Sequence, residues 1–285
     1  GDGMGPSFTT AYRMFADDPN TAEVEQTVFD RLLVGMASTH PDSDTGYITD
    51  SAAGATALST GVKTYNGAIG VDANKQPVQT VLELAKIQGR KTGIAVTSQI
   101  NHATPASFGA HNESRQNYDQ IADSYFDTKI NGQFVFDVML GGGWKYFIRD
   151  DRNLVEQFKA AGYQYVDDIT QLDTVRAGTP LLGLFADSGM PWALDSANNM
   201  RLPALTKAAI RQLENDQGYF LLIEASQVDW AGHGNDIGSS MAEMHDLAVA
   251  LEWLEQYLIK TPDTLLVVTA DHSTGGLSIG ANGNY

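Results

Sequence analysis

Three apolar-centred runs constrain this chain more than anything else in it: Lys91 to Thr97 (KTGIAVT), Tyr219 to Ala225 (YFLLIEA) and Thr264 to Thr269 (TLLVVT). Their centres do not alternate polar with apolar residues, so strands formed there are expected to be buried on both faces. Segments with helical spacing lie between them. Pro77 to Gly89 carries Pro77 at its start, Val78, Val81, Leu82 and Ala85 on one face, and Gly89 at the C-cap position. Leu202 to Leu213 reads as a helix, and so does the long stretch Ser239 to Leu258, apolar at Met244, Leu247, Leu251, Leu254 and Leu258. Further helices are expected over Val24–Val34, Gln116–Thr128 and Asp151–Ala161, and further strands over Phe134–Leu140, Tyr163–Val166 and Leu181–Phe185. Strands alternating with helices predict an α/β fold, a three-layer αβα sandwich with a mostly parallel central sheet. No repeat, heptad, low-complexity tract or domain boundary appears, and residues 1–285 read as a single domain.

Each of the three runs releases polar, ligand-capable residues at or just past its carboxyl end. The first gives His102 and Thr104, the second Glu224, Asp229 and His233, the third Asp271 and His272. In an open parallel sheet the carboxyl ends share one edge, where ligands bind. The chain has no cysteine, so a metal held there would have only oxygen and imidazole donors. That donor set suits Zn²⁺ through His and Asp, and Mg²⁺ through carboxylate and hydroxyl oxygens. Glu224 is the most informative of these residues, because an acid ending so apolar a strand is expensive to bury unless paired or metal-bound. Asp229 and His233 stand four apart and share a face if the segment is helical; a solvated loop is the other reading. His40 and His245 read as structural, and His111 stays open.

A further candidate lies in Thr49 to Ala57 (TDSAAGATA), where Ser51 precedes a run of small residues able to start a closely packed helix. A hydroxyl there meets unpaired N–H groups and the positive end of the helix dipole, a place that suits phosphate. Ser51 could equally be an N-cap. Gly1-Asp2-Gly3-Met4-Gly5 reads as a tight turn where backbone approaches a ligand, or as a loop with an incidental Asp.

The 35 acidic and 18 basic residues give a net charge of −17. Such a surface argues against a nucleic-acid-binding face. It would also repel an anionic substrate unless local cations, such as bound metal ions, reverse the field. No apolar run reaches the length of a membrane span. With 28 Gly, 9 Pro and no possible disulfide, the loops are entropically loose, which fits a cold-active protein.

Taken jointly, these motifs resemble the alkaline phosphatase family over nearly the whole chain. The matching pieces are GDGMG at 1–5, DSAAGATA at 50–57, GVKTYNGAIG at 61–70, NHATPA at 101–106, AHNESR at 110–115, LGGG at 140–143, IEASQVDWAGH at 223–233 and TADH at 269–272. The resemblance implies a phosphomonoester hydrolase of broad substrate range, in which Ser51 forms a covalent phosphoserine and Arg115 grips the phosphate. It implies two Zn²⁺ and one Mg²⁺. Asp2, Asp271 and His272 would ligate one zinc, Asp229 and His233 the other, and Asp2, Thr104 and Glu224 the magnesium. His102 and Trp230 occupy positions where some members carry Asp and Lys and others His; His102 is expected to reach magnesium through water at most, and Trp230 to shape the phosphate-side wall. A phosphodiesterase or sulfatase with the same core, or a non-catalytic metal- or phosphate-binding remnant, are the alternatives. A homodimer, secreted or periplasmic, is also implied. The family pattern has a buried strand before GDGMG and a zinc-binding His well after TADH, so residues 1–285 are expected to be truncated at both ends.

Overall fold

The computed structural model describes residues 1–196 and 200–280. Its elements run α1 (Pro6–Ala16), α2 (Val28–Leu32), α3 (Ser51–Thr60), α4 (Val81–Ile87), β1 (Lys91–Gln99), α5 (Ala103–Gly109), α6 (Tyr118–Asp127), β2 (Lys129–Ile130), β3 (Gln133–Phe134), β4 (Val138–Gly142), α7 (Trp144–Phe147), α8 (Leu154–Ala160), β5 (Gln164–Val166), β6 (Leu181–Leu184), α9 (Arg201–Leu213), β7 (Tyr219–Glu224), α10 (Gln227–His233) and α11 (Ile237–Lys260). They gather into two compact units. A sheet unit comprises Thr39–Pro191 and Ala204–Glu224; a helical unit comprises Gly1–Ser38, Trp192–Pro203 and the chain from Ala225 onward.

The sheet unit is built on five parallel strands in the order β5-β6-β4-β1-β7. Alternate residues feed two separate apolar clusters, as the two-residue period of a strand requires. Ile94 and Val96 of β1, Met139 of β4 and Leu182 and Leu184 of β6 join helices α4, α5, α6 and α8 on one face. Ala95, Val138, Leu140 and Leu181 meet Leu205, Ala208, Ala209 and Leu213 of α9 on the other. The expected αβα layering is therefore present within this unit.

Small side chains let α3 lie close to α5. Ala52, Ala53, Gly54, Ala55, Thr56 and Ser59 are all buried, and hydroxyls satisfy the carbonyls that this closeness hides. Ser59 Oγ donates to Ser107 O (2.7 Å), and Thr56 Oγ1 to Ala68 O (3.0 Å).

In the helical unit the 24-residue α11 packs against α1, α2 and α10. The sequence reading missed α1, whose inward stripe is only Phe8 and Tyr12, too sparse for periodicity to register. Tyr12 Oη pairs with His245 Nδ1 at 2.9 Å, which gives His245 its structural place.

Several expected boundaries move. α4 starts at Val81 and not at Pro77, because a capping box between Thr80 and Glu83 fixes the first turn, while Pro77 lies in a bridge with Val71. A second capping box, Thr27 with Asp30, confines α2 to Val28–Leu32 and leaves Val24 and Val34 exposed. The largest correction is Thr264–Thr269, which forms no strand. Leu265 is 84% exposed and Val267 72%. Strand propensity alone does not make a strand; a neighbouring strand is needed, and among the described residues no strand pairs with this stretch, although the Gly1 amine donates to Thr269 O at 3.0 Å. No helix among those residues is long and apolar enough to cross a membrane.

Candidate active site

In the sheet unit, Asp50 and not Ser51 is the N-cap of α3, its carboxylate accepting from Ala53 N at 2.9 Å. Ser51 therefore occupies the first helical position, buried, at the positive end of the helix. The same Asp50 carboxylate accepts from Arg115 Nη1 at 3.0 Å, which brings the guanidinium to the start of α3. Arg115 Nη2 donates to His102 Nε2 at 3.2 Å. Burial first, and the Arg115 charge second, push the His102 imidazole down to about 3, so it is a neutral acceptor there.

His102 stands at the N-cap of α5, just after β1, and Thr104 lies in the first turn of that helix; Glu224 closes the neighbouring strand β7, where it pairs in register with Val96. A His102 ring nitrogen and a Glu224 carboxylate oxygen lie within 4.8 Å of each other. The buried Thr104 Oγ1 makes no hydrogen bond with the protein. Glu224 also acts at a distance: burial and then its charge raise the Tyr125 phenol.

His111 is also settled. Its Nε2 faces Glu83 Oε1 at 2.9 Å and its Nδ1 faces Gly70 O at 2.6 Å. It braces the α4 capping box and belongs to the structure.

The helical unit gathers the other candidates. One ligand atom each from Asp2, Asp229 and His272 falls within 4.8 Å of the other two. His272 Nε2 stands 3.5 Å from both Asp2 Oδ1 and Asp271 Oδ2, and His233 Nε2 lies 3.5 Å from Asp229 Oδ1. Asp229 and His233 are four apart on α10, so the helical reading of that spacing holds. Asp271 Oδ1 is steadied by the N–H groups of Gly3 and His272, both at 3.0 Å. Three buried carboxylates beside one imidazole repel each other unless a cation joins them. Their oxygen and nitrogen donors match zinc, while the Thr104 hydroxyl and Glu224 match the oxygen preference of magnesium.

The glycines of GDGMG earn their place here. Gly3 has φ +64°, and a Cβ on it would stand 2.3 Å from Thr274 Oγ1 and 2.8 Å from Asp229 Oδ1. A Cβ on Gly5 would fall 1.7 Å from Ser273 Oγ. The backbone beside Asp2 thus comes as near to the other ligand segments as an atom allows.

Sequence reasoning missed Thr274 altogether. Its Oγ1 donates to Asp229 Oδ1 and lies 3.2 Å from His272 Nδ1, orienting two candidate ligands at once. A hydroxyl two residues beyond a His carries no recognisable spacing signal. Ligand-orienting hydrogen bonds of this kind are worth about 10- to 100-fold in metal affinity. Thr274→Val is therefore expected to weaken zinc binding by about that factor, and Thr274→Ser to restore it, measured by chelator competition. Zinc binding unchanged in Thr274→Val would refute the role.

Comparison with known proteins identifies the family. A sequence model of the alkaline phosphatase family matches residues 1–285. Alkaline phosphatase 3 of Bacillus subtilis is 51% identical over 100% of this chain and 62% of its own length. The crystal structure of a cold-active alkaline phosphatase from a psychrophilic Shewanella superposes with a TM-score of 0.93 at 56% identity, covering 100% of this chain and 69% of that one. Alkaline phosphatase from the Antarctic bacterium TAB5 gives a TM-score of 0.86 at 32% identity, over 99% of this chain and 80% of that one. A variant of the TAB5 protein has been solved with magnesium in its M3 site. The chain spans 62% of the length of the Bacillus relatives. Motif order, parallel sheet, ligand-rich strand ends and whole-chain similarity converge on one conclusion: the chain belongs to the alkaline phosphatase family.

Proposed function

We propose that this chain carries the catalytic domain of a metal-dependent phosphomonoester hydrolase that works through a phosphoserine on Ser51 and releases inorganic phosphate. The observation that carries the reading is the start of α3, where a buried serine hydroxyl lies at a helix N-terminus whose capping carboxylate also holds Arg115.

Ser51 Oγ attacks phosphorus, the bond to the ester oxygen breaks, and the alcohol departs with a proton. Water then attacks the phosphoserine, the P–Oγ bond breaks, and phosphate leaves with Ser51 regenerated. Arg115 has five N–H donors in a fixed fork. Two of its nitrogens are held by Asp50 and His102, and this orients the remaining donors for two non-bridging phosphate oxygens. Neutral His102 accepts from Arg115 and so leaves the arginine charge for the substrate. Asp2, Asp271 and His272 would hold one zinc, Asp229 and His233 a second, and Asp2, Thr104 and Glu224 a magnesium. When bound, these ions supply Lewis-acid activation of hydroxyl and water and offset the carboxylate charge. Trp230 supplies a neutral wall beside the site.

A broad substrate range, a homodimer, periplasmic or secreted residence and activity in the cold complete the proposal; the Shewanella relative is described as cold-active. The test is hydrolysis of nitrophenyl phosphate and bis-nitrophenyl phosphate by the full-length protein before and after chelation. Faster cleavage of the monoester is expected, lost on chelation and restored by zinc with magnesium. Faster diester cleavage would favour a phosphodiesterase, and no hydrolysis with both metals present would defeat the enzyme reading.

A further inference from the structure

The helical unit buries a charged cluster that the proposed chemistry does not use. Arg201, only 5% exposed, donates from Nη1 to Gln227 Oε1 at 2.6 Å and from Nη2 to Glu243 Oε2. The same Nη2 lies 3.2 Å from Asp246 Oδ2. The other Glu243 oxygen, Oε1, accepts from the backbone N–H of Ala193 at 2.8 Å. One carboxylate on α11 therefore anchors the turn at Ala193, and one guanidinium ties that carboxylate to Gln227 on α10.

The residue just before the anchor is Trp192. Its ring meets Trp230 of α10 edge to face, with centroids 6.4 Å apart and planes at 80°. Both indoles are half-buried, so each keeps a surface that a small molecule can reach. Trp230 directly follows the candidate ligand Asp229. Neighbouring residues on an α-helix point roughly 100° apart, so Trp230 borders the Asp229–His233 face without joining it. An indole bears no charge and presents an electron-rich face, which gains nothing from a phosphate dianion but pairs well with an aromatic ring.

We propose that Trp192 and Trp230 form an aromatic wall that receives the leaving group of ring-bearing phosphate monoesters. In this wall Trp192 is a specificity-determining residue, set in position by the Ala193–Glu243–Arg201–Gln227 brace. The inference rests on the phosphomonoesterase reading. The resemblance put Trp230 on the phosphate side; the inference moves it to the alcohol side of the ester, so the wall separates substrates by the alcohol they carry.

The test uses the full-length protein with zinc and magnesium, phenyl phosphate and ethyl phosphate as substrates, and phenylphosphonate and inorganic phosphate as inhibitors. Trp192→Ala is expected to lower kcat/KM for phenyl phosphate by about two- to ten-fold, the range of an aromatic pair, and to raise the phenylphosphonate Ki by a similar factor. Ethyl phosphate turnover and the inorganic phosphate Ki stay at wild-type values, which also certifies that the variant is folded. Trp192→Phe keeps the edge contact and retains most of the phenyl preference. Equal losses on both esters, or no change on either, would overturn the proposal. A wild-type protein that hydrolyses neither ester would instead remove the phosphomonoesterase reading on which it stands.

Discussion

Ser51→Ala in the full-length protein is expected to lower kcat/KM for phosphate monoesters by at least about 10³-fold, because it deletes the atom to which the proposed mechanism transfers phosphate. The helix should survive the change. Asp50 keeps its capping bond to Ala53, and alanine is the best helix former. The melting temperature and metal content should therefore match wild type, and this separates a chemical loss from a folding loss. The companion measurement is acid quenching of a reaction in progress followed by peptide mass analysis. Wild type should carry phosphate on the peptide containing Ser51, and the variant should carry none. An alanine variant within tenfold of wild type would show that some other group accepts the phosphate.

Arg201→Met should destabilise the protein by about 3–5 kcal/mol at neutral pH, the usual result of removing one partner from a buried ion pair. Two carboxylates face this single guanidinium. Burial raises the pKa of both Glu243 and Asp246 above the ordinary range, while the charge of Arg201 pulls each partly back. A carboxyl whose folded pKa is raised favours folding in its protonated form. Its contribution is complete below the unfolded pKa and disappears as pH rises through the folded one. Methionine in place of Arg201 removes the downward pull, so the folded values climb further. The deficit of the variant should then be largest at neutral pH and shrink as pH falls toward the carboxylate range. Urea unfolding of both proteins near pH 7.5 and pH 5 reads this directly; an equal deficit at the two pH values would show that lost packing, and not charge, is responsible.

How much of this was legible beforehand depended on whether a feature was local or shared between distant segments. The runs around Ile94 and Leu182 declared themselves, since strands buried on both faces leave no polar residues at their centres; the run around Leu222 also forms its strand, but Tyr219–Ile223 stays only half-buried, short of the burial on both faces that its composition suggested. The spacing of Asp229 and His233 left a helix and a solvated loop both open, and α10 decides for the helix. The start of α3 was half legible: the helix was expected, but a Ser and an Asp both suit the cap, and only the bond from Ala53 assigns it to Asp50. Thr264–Thr269 misled because composition reports a preference for extended backbone and says nothing about whether a neighbour pairs with it. Thr274, Trp192 and the Arg201 brace were not legible at all. Each acts through a contact between residues at least 26 positions apart, apart from those of Thr274 with its own turn. A single sequence does not display such contacts.

The crowding around Gly3 and Gly5 bears on how this protein could be redesigned. Any side chain at either position would collide with Thr274, Asp229 or Ser273, so the turn that presents Asp2 has no adjustable volume. An engineer seeking a different metal preference would find that side of the proposed ligand set fixed. Freedom lies with His233, whose side chain is 71% exposed against 12% for His272. A library built at and around His233 can vary donor type and reach while the glycine turn holds the remaining ligands in register.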